Sequence, residues 1–370
     1  SKDLSLVSWA VSILVLFDER AMSAEVPQLY SVLAERALQP KVMEASPKEM
    51  YDWALLLLSI GKMGGRWSDV AEDKRVKKLF GFAIEQRLPF LLMQTSKVCV
   101  AQDISNVALA CVYIGFKGNM GPFISAVASS IGREKGERIV DFVPQAWSNL
   151  IYACGKLVDL AGGKVSVLGK GVDVIVRGSA AAMVDAVDCP VGKQVNAQEL
   201  SNTLWGLAHF EWYNNADVSR LAVAAADRVR SSVPQDLSIN LWSLSSLGWY
   251  DHAVYDEMLW GLVKSHLQPD PQHFSNAILS CATASHSGAA LDELAHVVSK
   301  QSLRGWASQA ISNALYAWCV LSLLGKASAD LSAMASALFC EANSRIPASF
   351  SDAQQFSQLY SAHMEAERVG

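Results

Sequence analysis

The chain has 370 residues, of which 51% are hydrophobic and 18% charged, and its net charge is −5. This composition excludes an intrinsically disordered chain, because disorder requires low hydrophobicity and high net charge. Its apolar runs are shorter than the ~18 residues that a membrane-spanning helix needs, so no membrane partner is predicted.

Nine segments along the chain share one pattern of polar and apolar residues. Their first residues, which we call the anchors and number as column 0, are Lys2, Lys48, Gln102, Gln145, Gln198, Gln235, Gln272, Gln309 and Gln354. The four segments QELSNTLWGL, QDLSINLWSL, QHFSNAILSC and QAISNALYAW follow one another at a constant step of 37 residues. A fixed period of this size predicts an architecture of stacked repeats.

Each repeat is predicted to be a pair of helices. In the unit from Pro234 to Pro271, proline suits the first helical position, apolar residues then recur at helical spacing, and Gly248 ends the first helix. WYDHAVYDEMLWGLVKSHL supplies the second helix. We therefore predict an all-α chain that forms an α-solenoid of about nine repeats. Irregular repeats with insertions in loops occupy 1–197, regular repeats 198–345, and a degenerate cap 346–370.

Three apolar columns predict how neighbouring repeats interlock. Column +2 is always apolar, column +7 is mostly large, and column +8 is nearly always small. Large residues beside small ones at constant positions are typical of tightly packed helices. Trp205 and Trp242 in column +7 are therefore interpreted as structural core residues, in preference to stacking platforms for bases.

Two polar columns share one face of each first helix. Column 0 is predicted to contact RNA through Lys48, Gln102, Gln145, Gln198, Gln235, Gln272 and Gln309. A solvated or capping role for these side chains is the alternative. Column +4 is predicted to be structural, bonded to the backbone of the adjacent repeat, with RNA contact as the less favoured alternative. Its members are Asn106, Asn149, Asn202, Asn276 and Asn313.

Local basic clusters add candidates for phosphate contact within an acidic chain. The candidates are Lys117, Arg133, Lys135, Lys156, Arg228 and Arg230. Arg228 and Arg230 are placed with Arg220 on one predicted second helix. The alternative is that these charges are merely solvated. Binding through phosphates would weaken steeply as salt rises.

The strings SNTLWGLA and SINLWSLS, behind the P-Q starts of VPQAWSN, VPQDLSIN and DPQHFSN, carry a resemblance to a known family. They resemble octotricopeptide repeats, which are related to heptatricopeptide and FAST-kinase-type repeats. The resemblance covers almost the whole chain and is strongest from Gln198 to Leu324. It implies an organellar RNA-binding protein, in some relatives a component of mitochondrial ribosomes with fragmented ribosomal RNA. No RAP module, which many members carry, is seen before Gly370, so RNA cleavage is not expected.

No catalytic, metal-binding or cofactor-binding motif is found. The histidines form no H-E-x-x-H, and AGGKVSVLGKG departs from the phosphate-loop spacing, so residues 161–171 are predicted to be an inter-repeat loop. GKMGGRWSD near Gly64 is predicted to be another loop. We expect no enzyme, no cofactor, no metal and no small-molecule substrate. Four cysteines, Cys111, Cys154, Cys281 and Cys319, are predicted to be buried in first helices.

Two classes of function remain. The first is an organellar RNA-binding protein, foremost a structural part of a mitochondrial ribosome whose partners are ribosomal RNA, single-stranded or looped, and ribosomal proteins. A transcript-specific stability or translation factor, in mitochondrion or chloroplast, is the alternative within this class. The second class is a protein-binding α-solenoid scaffold.

Overall fold

The computed structural model describes residues 2–17, 25–39, 50–93, 101–131, 143–189, 195–345, 350 and 352–369. These residues form helices and the turns between them, with no strand in any of the described ranges, which confirms the all-α prediction. Within the same ranges, no helix is both long and apolar enough to cross a bilayer. The chain divides into two compact units, Ser1–Ala186 and Val187–Gly370.

Unit 1 contains helices of very different lengths. They are α1 (Lys2–Phe17), α2 (Val26–Ala37), α3 (Met50–Gly64), α4 (Ser68–Glu72), α5 (Lys74–Phe82), α6 (Leu88–Met93), α7 (Ala101–Tyr113), α8 (Gly121–Ile131), α9 (Pro144–Leu160) and α10 (Val172–Asp188), whose last residues pass the division. A π-helical segment, Ala83–Arg87, joins α5 to α6, and a 3-10 turn, Val165–Leu168, lies between α9 and α10.

Unit 2 is more regular. Its helices are α11 (Ala197–His209), α12 (Asn215–Ala226), α13 (Pro234–Ser246), α14 (His252–Val263), α15 (Pro271–Thr283), α16 (Ala289–Lys300), α17 (Ser308–Leu323), α18 (Ala329–Arg345) and α19 (Ala353–Val369). First and second helices alternate along the chain, as the repeat period predicts.

In both units, each first helix packs on the first helix of the next repeat. The order of contacts is α1, α3, α7 and α9 in unit 1, and α11, α13, α15, α17 and α19 in unit 2. The second helices of unit 2 form a layer of their own, in which α12, α14, α16 and α18 pack in sequence. Because helical pairs stack on their chain neighbours, the prediction of an α-solenoid of repeats is confirmed.

The ends of several first helices also repeat. Pro144, Pro234 and Pro271 each occupy the first helical position, as predicted. Gly248 has φ +67° and lies just past α13, where the amide of Trp249 donates to the carbonyl of Leu244 over 3.0 Å. This left-handed turn closes the helix and re-aims the chain toward the second helix.

The interlocking columns are buried as predicted, away from the ends of the stack. Column +2 is buried from Met50 to Ile311, and its last member Phe356 is exposed on α19. Column +8 is buried from Leu56 to Ala317, whereas Ala10 on α1 is exposed. The four cysteines of the first helices are also buried and free, as expected.

Two sequence-based boundaries were wrong. The second helix of the repeat that begins at Gln198 ends at Ala226, so Arg228 and Arg230 lie beyond it, in a turn and a short 3-10 segment. GKMGGRWSD was predicted to be a loop, but its first four residues belong to α3, which continues through Gly64.

The extra residues of the second repeat fold as helices as well as loops. They form α4 to α6, where a π-type bond from the Leu88 amide to the Ala83 carbonyl precedes Pro89. Proline supplies no amide hydrogen to a helix, and a π-helical turn before Pro89 accommodates this loss.

Gly61 on α3 tests the close approach of first helices. A Cβ added at Gly61 would lie 2.7 Å from the carbonyl oxygen of Ala110 and 2.9 Å from its Cα, both backbone atoms of α7. Gly61→Ala should therefore lower the free energy of unfolding by about 1–3 kcal/mol, the usual range for overpacking. The measurement is urea unfolding followed by helical circular dichroism.

Gly81 on α5 is the matched control, because a Cβ there meets nothing within 4 Å. Gly81→Ala should raise the free energy of unfolding by about 0.5–1 kcal/mol through the unfolded state. Equal unfolding midpoints for the two variants would contradict the proposed close contact between α3 and α7.

Candidate nucleic-acid interface

Column 0 lies at the second residue of each first helix from α7 onward, where the side chain reaches solvent. Gln145, Gln198, Gln235 and Gln272 are exposed, and Gln102 and Gln309 are half-buried. Lys48 lies outside the described residues. Column +4 follows one turn later and is half-buried at Asn106, Asn149, Asn202, Asn276 and Asn313. In unit 2 we call Gln198, Asn202, Gln235, Gln272, Asn276, Gln309 and Asn313 the amide strip.

Two of the asparagines bond to amide side chains, and among the described residues neither has a hydrogen bond to the backbone of the adjacent repeat. The Nε2 of Gln102 donates to the Oδ1 of Asn106 over 3.1 Å, and Gln309 donates in the same way to Asn313 over 2.8 Å. The expected backbone partner is replaced by the residue one turn earlier, because columns 0 and +4 are neighbours on one helix face.

The last repeat shows what a partner of the strip looks like. From α19, the Nε2 of Gln355 donates to the Oε1 of Gln309 over 3.2 Å, and Gln358 donates to Asn313 over 3.0 Å. The amides at this end of the strip are therefore occupied by amide groups of the same chain.

Earlier in unit 2 the strip is open. Gln198, Gln235 and Gln272 are exposed, and their side-chain amides have no hydrogen-bond partner among the residues that the structure describes. Each amide offers two donors and one acceptor. Three consecutive repeats therefore present unused hydrogen-bonding groups at equivalent positions.

Aromatic side chains border the open amides. Trp205 is 9% exposed and stacks on His209 with ring centroids 5.0 Å apart. Trp242 is half-buried, and Tyr316 at the same column of α17 is exposed. Column +7 thus contributes to the packing between repeats and also shows ring edges or faces beside the strip.

From α11 to α17, the first-helix face of unit 2 carries no Lys, Arg, Asp or Glu at columns 0, +4, +7 and +11, whereas α19 has the buried Glu365 in column +11. Column +11 holds His209, Ser246, Thr283 and Val320. In unit 1 the corresponding residue of α9 is Lys156, which lies 5.6 Å from the Tyr152 ring and 3.8 Å from the Asp159 carboxylate. The face is therefore polar through amides, and largely uncharged.

Within unit 2, the predicted cations Arg228 and Arg230 do not line this face. Arg228 donates from Nε to the Val195 carbonyl over 2.6 Å and from Nη1 to Ala224 over 2.8 Å, so it holds the start of α11 to the end of α12. Arg230 is exposed and lines a cleft of about 480 Å³ with residues of α14, including Trp260. Its position is on the second-helix side of the unit.

Lys117 is exposed in the turn after α7, where it lines a cleft of about 500 Å³ with Glu72, Lys77 and Glu85. Two of these three neighbours are acidic, so this cluster is mixed in sign. Arg133 and Lys135 lie outside the described residues. The structure therefore places the described glutamines at equivalent positions, and within unit 2 it leaves Arg228 and Arg230 outside the first-helix face.

A serine in column +3 is a structural device that the sequence analysis did not single out. Its hydroxyl donates to the carbonyl of the anchor residue over 3.0–3.1 Å at Ser105, Ser148, Ser201, Ser238, Ser275 and Ser312. Ser201 also contacts the Asp236 carboxylate of the next repeat at 3.0 Å. The recurrent S-N pair was the signal for this bond, since serine in a helix interior often bonds the preceding turn.

No protein-family model matches the chain, and no curated protein matches it either. The resemblance to octotricopeptide repeats therefore stays a prediction. The structure itself shows a row of exposed glutamine amides on stacked first helices.

Asp103, next to the anchor Gln102, is a buried carboxyl group whose pKa is raised to about 6 by burial and by the nearby Asp52. In the unfolded chain the pKa of Asp is about 3.9, so the folded state holds this proton to higher pH. The free energy of unfolding should therefore fall as pH rises from about 4 to about 6.

Asp103→Asn should remove this pH dependence and stabilise the protein at pH 7.5 by about 1–2 kcal/mol, because the neutral amide avoids a buried charge. Urea unfolding at several pH values measures both effects. Asp185→Asn, at an exposed residue of α10, is the control and should keep the slope of the parent protein. An unchanged slope in Asp103→Asn would contradict the assignment.

Proposed function

We propose that this chain is an RNA-binding protein that holds single-stranded or looped RNA along the amide strip. The observation that carries the proposal is the open row of Gln198, Gln235 and Gln272, exposed in three consecutive repeats with unused donors and acceptors. Unpaired bases present hydrogen-bonding edges to such groups, and base-paired RNA hides them.

The mode of contact follows from the chemistry of the strip. Glutamine and asparagine amides pair with base edges, and the neighbouring Trp242 and Tyr316 offer rings on which bases stack. Phosphate contact has a small share, because columns 0 to +11 of unit 2 carry no lysine or arginine. The salt dependence of this strip is therefore expected to be shallower than that of a cation-lined site.

We also propose the wider role that the resemblance implies. An acidic chain with an uncharged RNA-facing strip suits a protein held among other subunits, since little long-range attraction draws it to free RNA. A structural component of a mitochondrial ribosome, in contact with ribosomal RNA and ribosomal proteins, fits this better than a free transcript-specific factor in mitochondrion or chloroplast.

A second candidate function is a protein-binding scaffold. The observation that favours it is the same uncharged row of amides, because side-chain amides at regular intervals also pair with the backbone of an extended peptide. The pairing of Gln355 and Gln358 with the strip at α19 shows that groups of a polypeptide can satisfy it.

The double variant Gln235→Ala with Gln272→Ala tests the RNA proposal. Affinity for labelled single-stranded RNA, measured by fluorescence anisotropy, should fall about tenfold, as for a loss of about 1.4 kcal/mol. The melting temperature should change by less than about 3 °C, because both residues are exposed. The double variant Gln268→Ala with Gln301→Ala, outside the strip, is the control and should bind as the parent does.

Equal RNA affinity in both double variants would overturn the role of the strip. A large loss of helicity in the first would mean that column 0 is structural. Crosslinking of the protein in its own cells, followed by sequencing of the bound RNA, separates the wider roles. Ribosomal fragments are the expected product, a single messenger leader would favour a transcript-specific factor, and recovery of no RNA would favour the scaffold.

A further inference from the structure

Three potential ligand side chains meet in unit 2, where α14 packs beside the turn between α15 and α16. His252 and Asp256 lie one turn apart on α14, and His286 lies in that turn. The Nε2 of His286 is 3.2 Å from the Oδ1 of Asp256, and the Nδ1 of His252 is 3.9 Å from its Oδ2. One ligand atom from each residue falls within 4.8 Å of the other two.

His286 stands where other repeats carry a large aromatic residue. Column +14 is Phe116, Trp212 and Trp249 in three other repeats. The backbone amide of each donates to a carbonyl in the last turn of the preceding first helix, and the backbone amide of His286 does the same. His286 is fully buried, with an exposed fraction of 0%. A buried imidazole in an otherwise aromatic column is costly unless its two nitrogens have partners.

Within the described residues, a correctly aligned hydrogen bond is present at one of the two nitrogens of His286. The Nδ1 lies 3.1 Å from the hydroxyl of Tyr250. The Nε2, and the Oδ1 of Asp256 that faces it, are both buried without a correctly aligned hydrogen bond among the described residues. If Nδ1 carries the proton and donates it to the Tyr250 hydroxyl, Nε2 is unprotonated and its lone pair points toward Asp256. Metal-bound histidines commonly donate their other ring N–H to a neighbouring group in this way.

We propose that His252, Asp256 and His286 form a binding site for a divalent transition-metal ion, with Zn²⁺ as its natural occupant. Two imidazoles and one carboxylate are a donor set that suits zinc. Ligand atoms about 2.0–2.2 Å from a tetrahedral ion stand about 3.3–3.6 Å apart. The 3.2 Å separation of His286 and Asp256 fits such an ion, and the 3.9 Å separation of His252 and Asp256 closes with a small movement of the exposed His252 side chain. The His252 side chain is 59% exposed, so the fourth position opens to solvent and takes water.

The surroundings of the site also carry charge. Lys326 brings a positive charge nearby, where its Nζ donates to the Ser285 carbonyl. That cation weakens metal binding, and the negative charge of Asp256 offsets it.

The ion would join two consecutive repeats. His252 and Asp256 belong to the repeat that begins at Gln235, and His286 belongs to the repeat that begins at Gln272. A metal bound to the folded form alone stabilises that form by mass action. The site is independent of RNA binding, and its success or failure leaves the proposed function untouched.

Isothermal titration of chelator-treated protein with Zn²⁺ tests the site. Saturable binding of one ion per chain and a rise in melting temperature are expected. His252→Ala and Asp256→Asn alter side chains on the open side of the site, so they are suited to testing binding without loss of the fold. Each should weaken binding at least about tenfold, the loss that even an outer-shell partner commonly causes. Co²⁺ in place of Zn²⁺ should give the visible absorption of a tetrahedral site.

Two other histidine–carboxylate pairs provide matched controls. His363 and Glu367 have the same spacing on α19 with atoms 3.3 Å apart, and His296 lies 3.2 Å from Asp330. Neither pair has a third ligand within the described part of the chain. His363→Ala and His296→Ala should bind Zn²⁺ as the parent does. Equal losses in His252→Ala and His363→Ala, or no saturable binding at all, would overturn the proposal.

Discussion

The close approach of successive first helices is the constraint on which the rest of this structure depends. Small residues fill column +8 at Ala110, Ser243 and Ser280, and all three are buried. At Gly61 the backbone of α7 comes so near that even one methyl group has no room. With columns +2 and +8 committed to this contact, the helix rotation is fixed, and columns 0 and +4 have only the open side left.

The open side of the first helices is the surface that the RNA-binding proposal uses. RNA binding needs donors and acceptors at regular intervals, and the exposed glutamines of α11, α13 and α15 supply them. At α17 the same columns are already paired with Gln355 and Gln358, so the helix that ends the array covers the last part of the strip. The serine in column +3 secures the first turn that carries each glutamine, because its hydroxyl binds the carbonyl of that residue.

Much of the fold was predictable from sequence, because the chain aligns with itself. The anchors from Gln102 onward, the prolines at the starts of α9, α13 and α15 and the glycine after α13 are local signals, and each of these described residues marks a helix boundary. The π-helical segment before Pro89 was not predictable, since the irregular repeat has no second copy for comparison. Within the candidate site, columns 0 and +4 were found from spacing, but their partners were not. Amide pairing, the carbonyl contacts of Arg228 and the meeting of His286 with Asp256 depend on side-chain rotamers and on contacts across repeats.

The central claim is that the first-helix face of unit 2 contacts RNA through its amides. Photo-crosslinking of RNA that contains 4-thiouridine, followed by mass spectrometry of the crosslinked peptides, tests it most directly. The account predicts crosslinks in the N-terminal halves of α11, α13 and α15, around Gln198, Gln235 and Gln272. Crosslinks confined to the second helices α12, α14, α16 and α18, or their absence from both layers, would contradict it.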